Sequence, residues 1–226
     1  LLVPAGATIN ITGSNYVFNN TATGTFVLDG TMTASNPTSS QFSNNGILKG
    51  TGTLDNSAGR TLDNDAMGSI QPGASPGTLT INQLNTTGAI DIEIGGTMPD
   101  TEYDVLALPT SSTLGGTLNV TLVDGFEPAC GDAFDIITHA SNTGTFSTVN
   151  LPAGFSIEYL TDKVTLTYGQ IGITIDNISE AECNNTTCTT DDTYTADVTV
   201  TYSEKPASGT LSLTGPKVIS SEEVHV

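Results

Sequence analysis

The chain has 226 residues and a formal net charge of −19, with 5 Lys plus Arg against 24 Asp plus Glu. Lys49, Arg60, Lys163, Lys205 and Lys217 are too few and too scattered to displace counterions, which excludes a binder of the nucleic-acid backbone or of an anionic membrane surface. No apolar run is long enough to span a bilayer, and no basic stretch leads into an apolar one as in a signal peptide, so no membrane insertion by this segment is expected.

The chain begins at Leu1 without Met, which reads as a mature fragment or the ordered part of something longer. Gly numbers 24, Trp is absent, and only 13% of residues are charged. Thr, Asn and Ser abound, and no stretch repeats apolar residues at helical spacing. An all-β chain with many turns follows. The acidity reads first as solubility outside a cell, and second as a surface able to take up Ca²⁺, although acidity alone names no site.

Residues 1 to about 100 are short apolar segments separated by Gly and Asn. They include Ala7–Ile11, Tyr16–Phe18, Thr25–Leu28, Gly46–Gly50, Gly52–Leu54, Ser69–Ile70, Gly77–Ile81 and Ala89–Ile94. Strands this short cannot each bury a core, but coils stacked on one another can. At roughly 20–25 residues per coil, this stretch predicts about four or five turns of a β-solenoid. A β-sandwich or jelly roll competes with that reading. Asn19-Asn20, Asn44-Asn45-Gly46 and Asp55-Asn56 fall where strands end, and Asn there either tolerates a left-handed turn or stacks in a ladder.

From about Glu102 the strands lengthen, through Tyr103–Leu108, Gly116–Val123, Ala133–Ile137, Phe155–Tyr159 and Lys163–Tyr168. Asp162 and Lys163 mark the turn of a final hairpin. Phe126, Phe134, Phe146 and Phe155 concentrate here, as expected of a cap covering the open end of a solenoid.

The stretch Gly68-Ser69-Ile70-Gln71-Pro72-Gly73-Ala74-Ser75-Pro76-Gly77-Thr78-Leu79-Thr80-Ile81 resembles a signature of bacterial autotransporter-type passenger stalks. As in those proteins, Asp91–Ile94, Tyr103–Leu106, Leu114–Leu118, Gly131–Ile137 and Gly144–Phe146 follow in order. The resemblance covers residues 40 to 168 and implies a right-handed parallel β-helix in a secreted adhesin or giant surface protein, without catalytic residues in the stalk. The chain departs from the family in containing no membrane barrel.

Residues 169–226 read differently. Ile171–Ile175, Tyr194–Tyr202 and Gly209–Gly215 alternate as the first strands of a partial Ig-like or fibronectin-like β-sandwich. This resembles the modules strung through large Bacteroidota-like surface proteins. The segment is shorter than such a sandwich needs, so it is either truncated or completed by strand addition from another chain. Residues 1–168 are thus expected to form the β-helix stalk with its C-terminal cap, and 169–226 the partial module.

Of the three cysteines, Cys183 and Cys188 bracket Asn184-Asn185-Thr186-Thr187 and read as a disulfide closing a small loop, with two free thiols as the alternative. Cys130 is left over, either a small buried residue or the partner of a region outside the chain. His139 and His225 sit near no Cys, so no zinc site is expected. Asp191 and Asp192, with Glu180 and Glu182 nearby, offer oxygen ligands for a structural Ca²⁺ at the junction. Their spacing matches no EF-hand loop, and a charged loop is the plainer reading. No other cofactor is expected.

A glycosidase needs two acids at a set separation in a cleft. Asp91, Glu93, Asp100, Glu102 and Asp104 cluster in sequence but read as a solvated strand face. No nucleophile elbow or phosphate loop occurs, so no enzyme is expected. The leading expectation is a structural or adhesive segment of a bacterial cell-surface protein or extracellular fibre, partnered by other surface domains, by copies of itself, or by host or environmental glycans. A carbohydrate-binding or carbohydrate-active β-helix is the alternative. A minor one is an ice-binding solenoid, prompted by Thr21/Thr23, Thr31/Thr33, Thr51/Thr53 and Thr78/Thr80 at uneven intervals.

Overall fold

The computed structural model describes residues 1–12, 17–34, 41–56, 61–73 and 76–169, together with the backbone of two strands at 173–178 and 198–202. The chain divides into two compact units, Leu1–Tyr168 and Gly169–Val226.

The first unit is a parallel β-solenoid. Its first turn comprises β1 (Leu2–Val3), β2 (Thr8–Ile11) and β3 (Val17–Asn20). The second comprises β4 (Thr25–Leu28), β5 (Thr31–Ala34) and β6 (Gln41–Asn44). The third comprises β7 (Ile47–Gly50), β8 (Thr53–Asp55) and β9 (Leu62–Asn64). The fourth comprises β10 (Ser69–Pro72), β11 (Thr78–Ile81) and β12 (Leu84–Thr86). Two wider turns follow, β13 (Ala89–Ile94) with β14 (Val105–Thr113), then β15 (Thr117–Leu122) with β16 (Ala133–Thr143). The unit ends in β17 (Thr148–Asn150), β18 (Phe155–Tyr159) and β19 (Lys163–Tyr168).

Like strands stack on like. One face is β1-β4-β7-β10-β13-β15-β17, parallel throughout. A second face stacks β2-β5-β8-β11 onto the first half of β14, and a third stacks β3-β6-β9-β12 onto its second half. The shift in register between Leu108 and Ser111 is where β14 passes from one face to the next. This parallel stacking disposes of the sandwich and jelly-roll readings, whose neighbouring strands run antiparallel.

Alternation puts every second side chain inside. On the first face Phe26, Leu48, Ile70, Ile90 and Leu118 form one buried file. On the second face Met32, Leu54, Ile81 and Leu108 do the same. On the third, Phe18 stacks on Phe42 at 4.8 Å between ring centroids, and Leu62 and Leu84 continue the file. Each buried Leu or Ile contributes about 1.5–3 kcal/mol. No single turn would bury these side chains without its neighbours, so cohesion comes from stacking.

Where the third face turns back to the first, the interior becomes polar. Asn20 Nδ2 donates to Asn44 Oδ1 at 2.7 Å, Asn44 Nδ2 to Asn64 Oδ1 at 2.7 Å, and Asn64 Nδ2 to Thr86 Oγ1 at 3.0 Å. The same three amides donate to the carbonyls of Ile47, Ser69 and Ala89 at 2.8, 3.1 and 3.1 Å. Among the described residues, positive φ outside glycine occurs only at Asp100 and Asp124. Asn20, Asn44 and Asn64 are therefore ladder rungs, and none of the described strand-end asparagines is a left-handed turn residue.

The C-terminal end is capped as expected. β19 runs antiparallel to both β16 and β18, closing the parallel stack with a hairpin. Phe134 is fully buried there, with its ring centroid 5.4 Å from Tyr103, 6.1 Å from Phe126 and 5.8 Å from Phe155. Burial pushes the Asp135 carboxyl up, but Lys163 Nζ at 2.8 Å and Thr165 Oγ1 at 2.7 Å outweigh it and hold the group below the usual carboxylate range.

In the second unit, β20 (Ile173–Ile178) and β21 (Val198–Tyr202) pair antiparallel. The predicted Ig-like sandwich beyond these strands lies outside the described residues.

Candidate functional site

Outward residues of the first face form ranks as regular as the buried files. Val27, Lys49, Gln71, Asp91, Asn119 and Asn150 share one rank across six turns. Asp91 organises it. Its Oδ2 accepts from Ser69 Oγ at 2.6 Å and Gln71 Nε2 at 3.2 Å, and its Oδ1 from Asn119 Nδ2 at 2.7 Å. Asn150 Nδ2 then donates to Asn119 Oδ1 at 2.8 Å.

Beside this rank runs a groove of about 510 Å³. Gly50, Pro72 and Gly73 are among the residues that line it. Asp29, Lys49, Gln71, Asp91, Glu93 and Thr121 bring polar groups to its walls. The groove therefore presents several carboxylates against the single cation of Lys49. It disfavours anionic ligands and offers hydrogen-bond acceptors to neutral hydroxyls.

Asp104 closes one side of the groove and is 1% exposed. Its Oδ1 accepts from the Gly77 N–H at 3.0 Å and its Oδ2 from the Glu93 N–H at 2.8 Å. The carboxylate thus ties the turn leading into β11 to the C-terminal end of β13. Desolvation pushes its pKa up to about 7, against the downward pull of the two N–H donors and with a smaller upward push from the Glu93 charge. A Cβ on Gly73 would lie 2.5 Å from Asp104 Oδ1, so the site requires glycine there.

Most of Asp91, Glu93, Asp100, Glu102 and Asp104 were expected on a solvated face, and Asp104 is the one that the structure buries. Asp91 and Glu93 do point outward from β13. Asp100 is exposed, and Glu102 Oε2 accepts from the N–H groups of Thr97 and Met98 at 2.9 Å. The excursion from Gly95 to Tyr103 returns the chain so that Asp104 falls under a turn 27 residues upstream. Alternation within one strand cannot signal such a contact. The visible hint was a carboxylate following the glycine-rich turn signature.

Cys130 is exposed, so the reading of it as a small buried residue does not hold. Cys183, Cys188, Asp191 and Asp192 lie outside the described residues, and with them the expected disulfide and Ca²⁺ site. Among the described residues, no group of three or more His, Cys, Asp or Glu side chains is arranged to hold a metal ion.

On the second face the uneven threonine spacing resolves into one straight outward rank of Thr8, Thr31, Thr53 and Thr80. The parallel rank beside it is Asn10, Thr33, Asp55 and Asn82, with Asn82 Nδ2 donating to Asp55 Oδ1 at 2.9 Å. A single threonine rank flanked by a charged, mixed one lacks the uniform flat lattice that ice recognition requires.

No protein-family model matches the chain, and no curated protein matches it.

Proposed function

We propose that this chain is a non-enzymatic structural or adhesive segment of a secreted bacterial cell-surface protein or extracellular fibre. The observation that carries the reading is the continuity of the interior. Apolar files and the asparagine ladder run from turn to turn, so the first unit is built as a rod whose outer ranks are available for contact. The autotransporter-like signature supports it, since its residues fill solenoid positions. Ile70, Leu79 and Ile81 are fully buried, and Gly77 donates to Asp104. A secreted location fits the acidity and the two-unit organisation. Antibody raised against residues 1–168 should label intact, unpermeabilised cells of the source organism. Labelling that needs permeabilisation would overturn the surface assignment.

The groove beside Asp91 favours one second reading, a glycan-binding face on the same rod. Its carboxylate and amide acceptors suit neutral sugars and disfavour acidic ones. A glycan array separates the two readings. Saturable binding of a neutral oligosaccharide, lost in both Lys49→Ala and Gln71→Ala, supports the groove, whereas an array without binding leaves the scaffold reading. For the second unit, the proposals are a Cys183–Cys188 disulfide, Ca²⁺ at Asp191 and Asp192, and an Ig-like module. Non-reducing peptide mapping tests the disulfide. A melting temperature unchanged by chelator would dismiss the Ca²⁺.

A further inference from the structure

The described interior is apolar or paired almost everywhere, and most of its unpaired polar atoms fall in one place. Buried side-chain atoms without a hydrogen-bond partner are Ser43 Oγ, Ser112 Oγ, both ring nitrogens of His139, and Asn142 Oδ1. All but the first belong to one corner of the last two turns, where β14 and β16 pass from the second face to the third. His139 stands in register with Leu108, and Asn142 with Ser112. Two turns earlier the same inward positions hold Ile81 and Leu84. The sequence thus replaces two apolar files at one corner with a serine, a histidine and an asparagine.

Ser112 and His139 are not surface groups, and Asn142 is half-buried with its Oδ1 turned away from solvent. Ser112 is 5% exposed and His139 6%. An unpaired buried polar atom is costly, and native interiors satisfy such atoms with protein or with ordered water. Ser112 is also far smaller than the Phe42, Leu62 and Leu84 that precede it in the file. Each water occupies about 30 Å³ and typically makes roughly three hydrogen bonds. Donors and acceptors also balance. A neutral imidazole carries one of each, a hydroxyl supplies both, and Asn142 Oδ1 accepts, while Asn142 Nδ2 is already bonded to the Gly144 carbonyl at 2.9 Å.

We infer that the corner enclosed by Ser112, His139 and Asn142 is an internal hydration site holding an ordered water cluster of about two molecules, at roughly three hydrogen bonds each. The cluster bridges His139 to Ser112 and Asn142, so that β14 and β16 are joined at this corner through water and not through apolar contact. The interior is apolar at Ile81 and Leu84 two turns earlier and wet just under the cap. The final turns accordingly carry a solvent-exchanging seam next to the hairpin that closes the stack.

Water-selective NMR on the full chain tests this. The expected result is cross-peaks from water to the His139 ring and the Ser112 side chain, with none to Ile81 or Leu84. A His139 corner as silent as Ile81 would overturn it. In Ser112→Leu, which restores the apolar file, the His139 cross-peaks should vanish while the far-ultraviolet circular dichroism is retained. Persistence of those peaks in a folded Ser112→Leu protein also refutes the site. Should Ser112→Leu not fold, the wild-type spectrum alone decides, because the contrast between His139 and Ile81 needs no variant.

Discussion

Asn44 shows how one residue type carries two meanings. Its amide accepts from Asn20 and donates to Asn64 and to the Ser69 carbonyl, at 1% exposure. Replacing it with alanine leaves buried donors and acceptors on both neighbouring turns without partners. Asn44→Ala is expected to cost roughly 2–4 kcal/mol in denaturant unfolding, since each orphaned buried group costs about 1–3 kcal/mol. Asn150→Ala, at the exposed end of the outer Asp91 rank, should cost less than about 1 kcal/mol. Asp104 supplies a second residue-scale expectation. Its folded pKa of about 7 lies above the ordinary value of 3.8, so the folded chain binds this proton more tightly than the unfolded one. The resulting stabilisation is complete below the ordinary value and is lost as pH rises through about 7. Carbon-13 NMR of the Asp104 carboxyl should give a midpoint near that value, and Asp104→Asn should flatten the stability profile over the same window.

Among elements, the corner between the third face and the first is the most constrained. Gly24, Gly46, Gly68, Gly88 and Gly116 stack there in register, and the N–H following each of the last four donates to the carbonyl of the glycine one turn below at 2.8–3.0 Å. A Cβ on Gly88 would lie 2.2 Å from the Asp65 carbonyl oxygen and 2.4 Å from that of Gly68. Backbone cannot swing aside as a side chain would, so Gly88→Ala should cost roughly 1–3 kcal/mol as an overpacking change. Gly6→Ala meets nothing within 4 Å and carries only the cost of its positive φ. Comparing the two by thermal melting separates close approach from backbone preference. At the cap, Phe134→Ala removes the ring that Tyr103, Phe126 and Phe155 pack around, for an expected loss of about 3–5 kcal/mol.

At the scale of the whole first unit, each turn touches only its neighbours, and damage should stay local. Hydrogen exchange on Phe134→Ala is therefore expected to accelerate in β16, β18 and β19 while amides of β7 and β10 keep their protection. Uniform acceleration would show that the unit unfolds as one block. The same one-dimensionality explains the cap. A parallel stack ends in unpaired strand edges, and the antiparallel β18–β19 hairpin closes one end of it.

Much of this was legible in the residues. Thr25–Leu28, Ala89–Ile94, Phe155–Tyr159 and Lys163–Tyr168 are strands with the predicted limits, because alternation of apolar and polar side chains is a local signal. The solenoid with a capped end followed from strands too short to bury anything alone. The third face was less visible. Leu62-Asp63-Asn64 and Leu84-Asn85-Thr86 each have one apolar residue and were not among the predicted strands, yet both are strands with their last side chain turned inward. Asparagine in such places is turn-like by composition and becomes a rung only when a neighbouring turn presents its partner, 20 to 24 residues away. The burial of Asp104, the straight threonine rank and the polar corner at His139 have the same origin. Composition and alternation along the chain were enough for the strand class, while the stacked solenoid with its cap rested more on the resemblance carried by Gly68–Ile81 and the strands after it. Register between turns appears only once the chain is coiled, because variable excursions set which residue lies over which, and the asparagine ladder and the Asp91 rank are made across turns.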